Sequence, residues 1–401
     1  MKRLGFLMIA LLVAPGAKVL AQDALTLDSF LAQVKAQNLG LKVESAKVEA
    51  ASARAVGINL PPPMVGYIQM NEDGGSGTSG FEVSQTIPFP TKLTSDRSAR
   101  KFEAEAQSEM QKAFSSEVIA KARLLYFSIW AAQERLGLLK EKKAVIGQHI
   151  KLSRAGSRSD SSSNIHILKA ESDVDALDNE LLTAEQMLRN KQIEAAEFVN
   201  ADPSNFRPSV KEPQVSELPN SSIIESPHQL ESARLTLESF KARESEAKSS
   251  WFPELNLRYK QMGASSMFQR YNEVMVGVSL PFVFFWEPRA TSSSASAQRL
   301  QAELEFARTT RKIQTEKSAL FVKAESLKKQ LDNLVTKLLP RAEKRMRLVH
   351  NLAQRDMESL QDHRETMQAF PELKLKALEY REQYEDAVSE LQKYAQSKDS
   401  E

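Results

Sequence analysis

The chain has 401 residues, with 54 Lys and Arg against 52 Asp and Glu and a formal net charge of +2; 26% of its residues are charged and 41% hydrophobic. That length allows two ordinary domains or one very elongated unit, and the near balance of charge offers no bulk basic surface to nucleic acid. There is no cysteine, which excludes disulfides and thiolate metal sites.

Lys2 and Arg3 open the chain, an apolar run covers 4–14, Pro15 and Gly16 break it, and Val19-Leu20-Ala21 ends in a small residue. The run is too short to span a bilayer as a helix and matches the core of an export signal. A cleaved signal peptide is expected over 1–21, with Gln22 as the first mature residue and no cysteine there to carry a lipid. A buried helix at the start of a cytosolic domain is the alternative. Loss of Lys2, Arg3 and Lys18 leaves the mature chain close to neutral. No later apolar run approaches the ~18–20 residues of a membrane helix, so any membrane passage must use strands.

The mature chain reads as two similar halves, at 22–200 and 227–396, with a disordered tail at 397–401. Asn59-Leu60-Pro61 leads into Met64-Val65-Gly66-Tyr67, as Trp251-Phe252-Pro253 leads into Leu255-Asn256-Leu257-Arg258-Tyr259. Val83 to Ile87-Pro88-Phe89 matches Val276 to Leu280-Pro281-Phe282 at nearly the same offset. Such self-similarity marks an internal duplication. Between the halves, 201–226 is rich in Pro and Ser, including Pro203, Pro208, Pro213 and Pro219; it reads as a connector, not a helix.

Each half follows one plan: a helix at 26–58 or 227–250, two short strands, then two long helices at 91–152 and 164–199 or at 290–350 and 356–396. The long helices carry heptads. Val118, Ala122, Leu125, Ile129, Ala132, Leu136, Leu139, Ile146 and Ile150 keep an alternating spacing that Lys143 interrupts. Ile167 to Leu188, Leu320 to Leu338 and Leu373 to Tyr394 do the same. A seven-residue repeat predicts left-handed supercoiling with knobs-into-holes packing. A helix of about 60 residues reaches roughly 90 Å, so it must pack on other rods. Pro340 and Pro371 are expected to kink or restart their helices.

The strands alternate. Leu255, Leu257 and Tyr259 interleave with Asn256, Arg258 and Lys260; Phe81, Val83 and Ile87 interleave with Glu82, Ser84 and Thr86, with Gln85 breaking the apolar row. Val274, Val276, Val278 and Leu280 interleave with Met275, Gly277 and Ser279. This is the period of barrel strands and equally of a soluble sheet with one buried face. Four strands cannot close a barrel, and open edges at membrane depth would leave backbone groups unpaired. The chain therefore supplies a sector of a shared barrel, or its strands form a small soluble sheet.

Ser84-Gln85-Thr86-Ile87-Pro88-Phe89-Pro90-Thr91-Lys92-Leu93, at the turn from strand into long helix, resembles the Q-x-x-P-F-P-G-K-L stretch of the heavy-metal, CzcC-like branch of the TolC family of outer-membrane efflux proteins, with Thr91 in place of Gly. The duplicated order of strand pair and helix hairpin is similar, as are Thr26-Leu27-Asp28-Ser29-Phe30-Leu31 and Asn38. The resemblance implies a mainly α protein with membrane β: long coiled-coil hairpins plus a four-stranded sector of a trimeric transmembrane barrel. It implies a homotrimer in the outer membrane lipid, working with a periplasmic adaptor and an inner-membrane transporter as the conduit of a tripartite efflux system, with no cofactor and no catalysis. A closed ring would satisfy both the open edges and the unpaired heptad faces.

On this reading the barrel lumen carries Glu82, Ser84, Asn256, Arg258 and Lys260. Asp356, Glu358 and Asp362, at the second hairpin tip, are candidates for an acidic ring at the periplasmic entrance; solvated acids in a first helical turn are the alternative. Family tips carry a Gly where Leu352 stands, and in the first hairpin a Ser-rich insert at 157–163 follows Gly156. Tyr67, Trp251, Phe252, Phe282, Phe284, Phe285 and Trp286 suit either an interfacial girdle or a packed junction. Other chemistry finds no footing. His149, His166, His228, His350 and His363 lack metal-ligand spacing, and Gly74-Gly75-Ser76-Gly77 is followed by no Lys-Ser/Thr. No Ser lies in G-x-S-x-G. Met262, Met267 and Met275 suit packing or, less simply, a soft-metal relay. The rival to the channel is an exported coiled-coil scaffold, in which helices would cover the apolar strand face.

Overall fold

The computed structural model describes residues 25–71, 77–156, 161–219, 228–264, 269–353 and 360–394; the expected signal peptide and the 397–401 tail lie outside them. The expected helix at 26–58 is two helices, α1 (Leu27–Gln37) and α2 (Leu39–Ala55). Thr26 and Ser29 form a capping box at the start of α1. Asn38 divides the pair: it is extended at φ −60°, ψ 122°, its N–H donates to Val34 O at 3.0 Å, and its side chain accepts the Leu41 N–H at 3.1 Å. One residue thus ends α1 with its backbone and caps α2 with its side chain.

Strands β1 (Met64–Met70) and β2 (Thr78–Ile87) lead into α3 (Pro90–Gly156) and α4 (Ser161–Phe198). The second half repeats the plan with α5 (His228–Lys248), β3 (Leu255–Met262), β4 (Tyr271–Val278), α6 (Trp286–Asn333), α7 (Leu339–Ala353) and α8 (Leu360–Gln392). Helix α3 has 67 residues, about 100 Å at 1.5 Å per residue. A π-helical turn over Leu334–Leu338 joins α6 to α7 just ahead of Pro340, where the proline's missing N–H and its ring disfavour regular α-helical bonding. Pro371 behaves otherwise: α8 runs through it without interruption and buries it.

The heptads do the packing. Leu139 and Ile146 of α3 meet Ala170, Leu177 and Ala184 of α4, and Lys143, the break in the repeat, pairs with Asp178. Ala324 and Leu327 of α6 meet Tyr384, Ala387 and Leu391 of α8. Helix α3 is the spine, touching α2 and α5 toward the strands and α4 and α8 farther away; α5 and α8 then lean on α6, and α8 on α7. This arrangement leaves α2 and α4 along one flank and α6 and α7 along the other. Both flanks expose apolar side chains: Leu39 and Leu182 on the first, Leu304 and Val322 on the second.

Residues 201–219 have neither helix nor named strand, and side chains from the rods satisfy their backbone. Leu25 bridges Val210. Tyr126 Oη donates to Leu25 O at 2.8 Å and Lys211 O at 3.0 Å, and Tyr384 Oη donates to Ser216 O at 2.8 Å. Gln192 reaches Pro208 O. Under this belt lies the main core, in which Phe30 and Val34 pack with Leu125, Tyr126, Ile129 and Trp130.

Candidate channel-forming sheet

The strands form one antiparallel sheet in the order β1-β2-β3-β4. Its register fixes which side chains share a face. Ser84 lies opposite Met64 and Arg258, Glu82 opposite Gly66 and Lys260, and Thr86 opposite Asn256. On β4, Glu273 lies opposite Lys260 and Met275 opposite Arg258. Glu82, Ser84, Asn256, Arg258 and Lys260 therefore occupy one face. Arg258 Nε stands 3.0 Å from Glu82 Oε1, and Thr86 Oγ1 donates to Asn256 Oδ1 at 2.7 Å. Glu273 is a charge of this face that the sequence reading missed; its alternation with Val274 was the available signal.

The other face is apolar across all four strands. Val65 lies opposite Val83, Val83 opposite Tyr259, and Tyr259 opposite Val274; Leu257 lies opposite Val276. No helix covers it, for Val65 is 74% exposed, Val274 74% and Val276 62%. A soluble sheet would hide such a row.

The methionines divide. Met64, Met70, Met262 and Met275 share the polar face, while Met267 lies outside the described residues. Met262 is fully buried, and a Cβ added at Gly80 would meet its Sδ at 2.7 Å and Gln261 O at 2.0 Å. Met262 fills the space that a glycine leaves.

The motif that turns β2 into α3 joins the two halves. Phe89 stacks on Phe252 with centroids 4.6 Å apart, Thr91 Oγ1 donates to Ser249 Oγ at 2.9 Å, and Lys92 Nζ pairs with Glu254 Oε1 at 2.9 Å. After β4, Trp286 stands edge-on to Phe284 and Phe285, at 5.4 and 5.5 Å, all three exposed. Tyr67 lies away from them, within β1 on the apolar face.

At the second hairpin tip, Asp356 and Glu358 lie outside the described residues, and Asp362 lies in the first turn of α8 with its side chain outside them. Of the histidines, only His228 has a described side chain; its Nδ1 is 2.6 Å from Glu109 Oε2. Burial pushes the Glu109 carboxyl up, but hydrogen bonds from Lys112 and His228 bring it below the usual carboxylate range. Among the described residues no three His, Asp or Glu gather as metal ligands, and no helix is long and apolar enough to cross a membrane.

Solved structures share this architecture. CusC, described by its conformational changes on folding and transmembrane channel formation, superposes with a TM-score of 0.78 at 14% identity, over 92% of this chain and 92% of that one. The open state of the Neisseria gonorrhoeae MtrE outer membrane channel gives 0.78 at 15% identity, over 92% and 88%. The Campylobacter jejuni CmeC outer membrane channel gives 0.78 at 14%, over 92% and 85%. The chain has the fold of an outer-membrane channel subunit. No family model matches the sequence, and no curated protein matches it. The four-stranded sheet and the long paired hairpins match the fold class that the family resemblance implied.

Proposed function

We propose that this protein is the outer-membrane conduit of a tripartite efflux system, a homotrimer whose twelve strands close a barrel and whose hairpins build a tunnel through the periplasm. The observation that carries the reading is the sheet: an exposed apolar face, a charged opposite face, and two edge strands without partners among the described residues. Lipid satisfies the apolar face, water the charged one, and a ring of copies the edges. The same ring covers the apolar flanks on α2 and α4 with those on α6 and α7.

The conduit catalyses nothing. Glu82, Ser84, Asn256, Arg258 and Lys260 line the lumen of its barrel, and Asp356, Glu358 and Asp362 ring its periplasmic entrance. A periplasmic adaptor docks on the hairpins, and an inner-membrane transporter supplies the energy and chooses the small molecules or metal ions that pass. The chain reaches the outer membrane through its signal at 1–21, and its two repeats span 22–200 and 227–396. Detergent-purified protein should have the mass of a trimer and give discrete, cation-dependent conductance steps in a planar bilayer. A soluble monomer or dimer that never inserts would sink the proposal and favour the coiled-coil scaffold.

A further inference from the structure

The junction at which β2 meets β3 is a template for a junction the single chain cannot make. The duplication is exact enough to map one on the other: Tyr67 lies opposite Phe81, and its counterpart Tyr259 lies opposite Val274, the counterpart of Phe81. By the same offsets Gly57, Leu60 and Pro62 stand where Ser249, Phe252 and Glu254 stand, and Phe284 and Phe285 stand where Thr91 and Lys92 stand. Within the chain, the residues after β2 grip the residues before β3 through Thr91 on Ser249 and Lys92 on Glu254. Among the described residues β4 and β1 are the edges of the sheet, so the residues after β4 and those before β1 adjoin no further hairpin to grip in this way.

Both orphan segments are apolar at the positions where the internal junction, beside its Phe89–Phe252 stack, is polar. Val56, Ile58 and Leu60 are exposed ahead of β1, and Val283, Phe284 and Phe285 are exposed after β4. Both are held in shape. Arg100 Nη2 donates to Gly57 O at 3.4 Å and Gln85 Nε2 to Pro61 O at 2.7 Å. Beyond β4, the 3-10 turn at Pro281–Phe284 and the contacts of Trp286 with both phenylalanines fix the aromatic segment. Rigid, exposed apolar segments on opposite edges of one sheet form a heterologous pair, which closes a ring when each copy turns by one third.

We propose that the 283–286 segment of one copy seats on the 56–62 segment of the next, forming an apolar lock beneath each seam of the barrel, where the internal junction adds a hydroxyl pair and an ion pair to its Phe89–Phe252 stack. The occupant is a second copy of this chain, because the duplication places the two segments as the internal ones are placed and the antiparallel order β4-β1 repeats β2-β3. Burial of aromatic surface at the seam holds the ring together, and the lock rests on the trimeric reading above.

The absence of cysteine makes the test direct. Thr91 and Ser249 have hydroxyls 2.9 Å apart, a spacing that suits a disulfide at the equivalent seam positions. The double variants Gly57→Cys/Phe284→Cys and Ile58→Cys/Phe284→Cys, oxidised in membranes, should give dimers and trimers on non-reducing gels that collapse with reductant; the second avoids the positive φ of Gly57. Each single cysteine should stay monomeric on the gel, and Thr91→Cys/Ser249→Cys should close within one chain. Phe284→Ser/Phe285→Ser should lower the temperature at which the detergent-solubilised trimer dissociates. No cross-linked ladder from either pair, in protein whose wild-type particle has trimer mass, overturns the lock and leaves the conduit standing. A Phe284→Ser/Phe285→Ser trimer that is as heat-resistant as wild type but leaves the membrane more readily makes the segment a lipid-facing foot and likewise overturns it. A wild-type particle of monomer mass overturns lock and conduit together.

Discussion

Glu385 of α8 accepts the backbone N–H of Ser216 on Oε1 at 3.0 Å, while its Oε2 is buried with no hydrogen-bond partner among the described residues. Burial pushes this carboxyl above its ordinary 4.5, against the Ser216 hydrogen bonds and the charges of Arg381 on α8 and Arg123 on α3. A carboxyl raised in the folded state contributes stability that is full below its unfolded pKa and is lost as pH rises through the folded value. Glu385→Gln removes that loss. Helical melts in detergent at about pH 4 and about pH 8 should show the variant gaining on wild type at the higher pH. A gain for wild type instead would mean that Arg123 holds the carboxylate charged.

Val276 and Met275 are neighbours on opposite faces of β4, which in the proposed barrel meet lipid and lumen respectively. Val276→Arg puts a charge toward lipid and should cost about 2–4 kcal/mol if it lies near the midplane. Met275→Arg faces the lumen and should cost little. Refolding into vesicles with denaturant titration compares them, and equal costs would refute the face assignment.

The polar face of the sheet, the proposed lumen side, carries two acids, Glu82 and Glu273, and two bases, Arg258 and Lys260. Removing one sign biases the field in a confined pore. Lys260→Gln should shift the reversal potential under a salt gradient toward cations, and Glu273→Gln toward anions. Shifts of the same sign in both would place at least one of them off the lumen.

At the tip, Glu358→Ala with Asp362→Ala should raise the resting conductance or weaken its preference for cations. Single-channel records unchanged in both respects would make these acids a solvated helix end.

Phe89 and Phe252 should show a coupling of about 0.5–1.5 kcal/mol in a double-mutant cycle to alanine, the contribution of an offset aromatic pair beyond area. Additive losses would reduce the junction to the Thr91 and Lys92 contacts.

Periodicity made most of this fold legible. Heptads such as Leu139 to Ile150 specify rods that must pair, and the alternation of Arg258 with Leu257 and Tyr259 specifies a two-faced strand, because both follow from backbone repeats alone. Local exceptions were harder to read. Asn38 splits an apparently continuous helix because it caps one helix where the other ends, and Pro371, expected to kink or restart its helix, lies inside the continuous α8. Glu273 escaped notice because its strand is mostly apolar, although its alternation with Val274 already put it on the face where it pairs with Lys260.

The sequence by itself determined that there are rods and two-faced strands, in duplicate, with a connector between, since these depend on the order of side chains along one backbone. Whether the apolar strand face is covered or bare was a matter of tertiary structure, for the same alternation serves a soluble sheet and a barrel. The packing leaves that face bare, with Val65, Val274 and Val276 exposed, because the helices pack chiefly on one another.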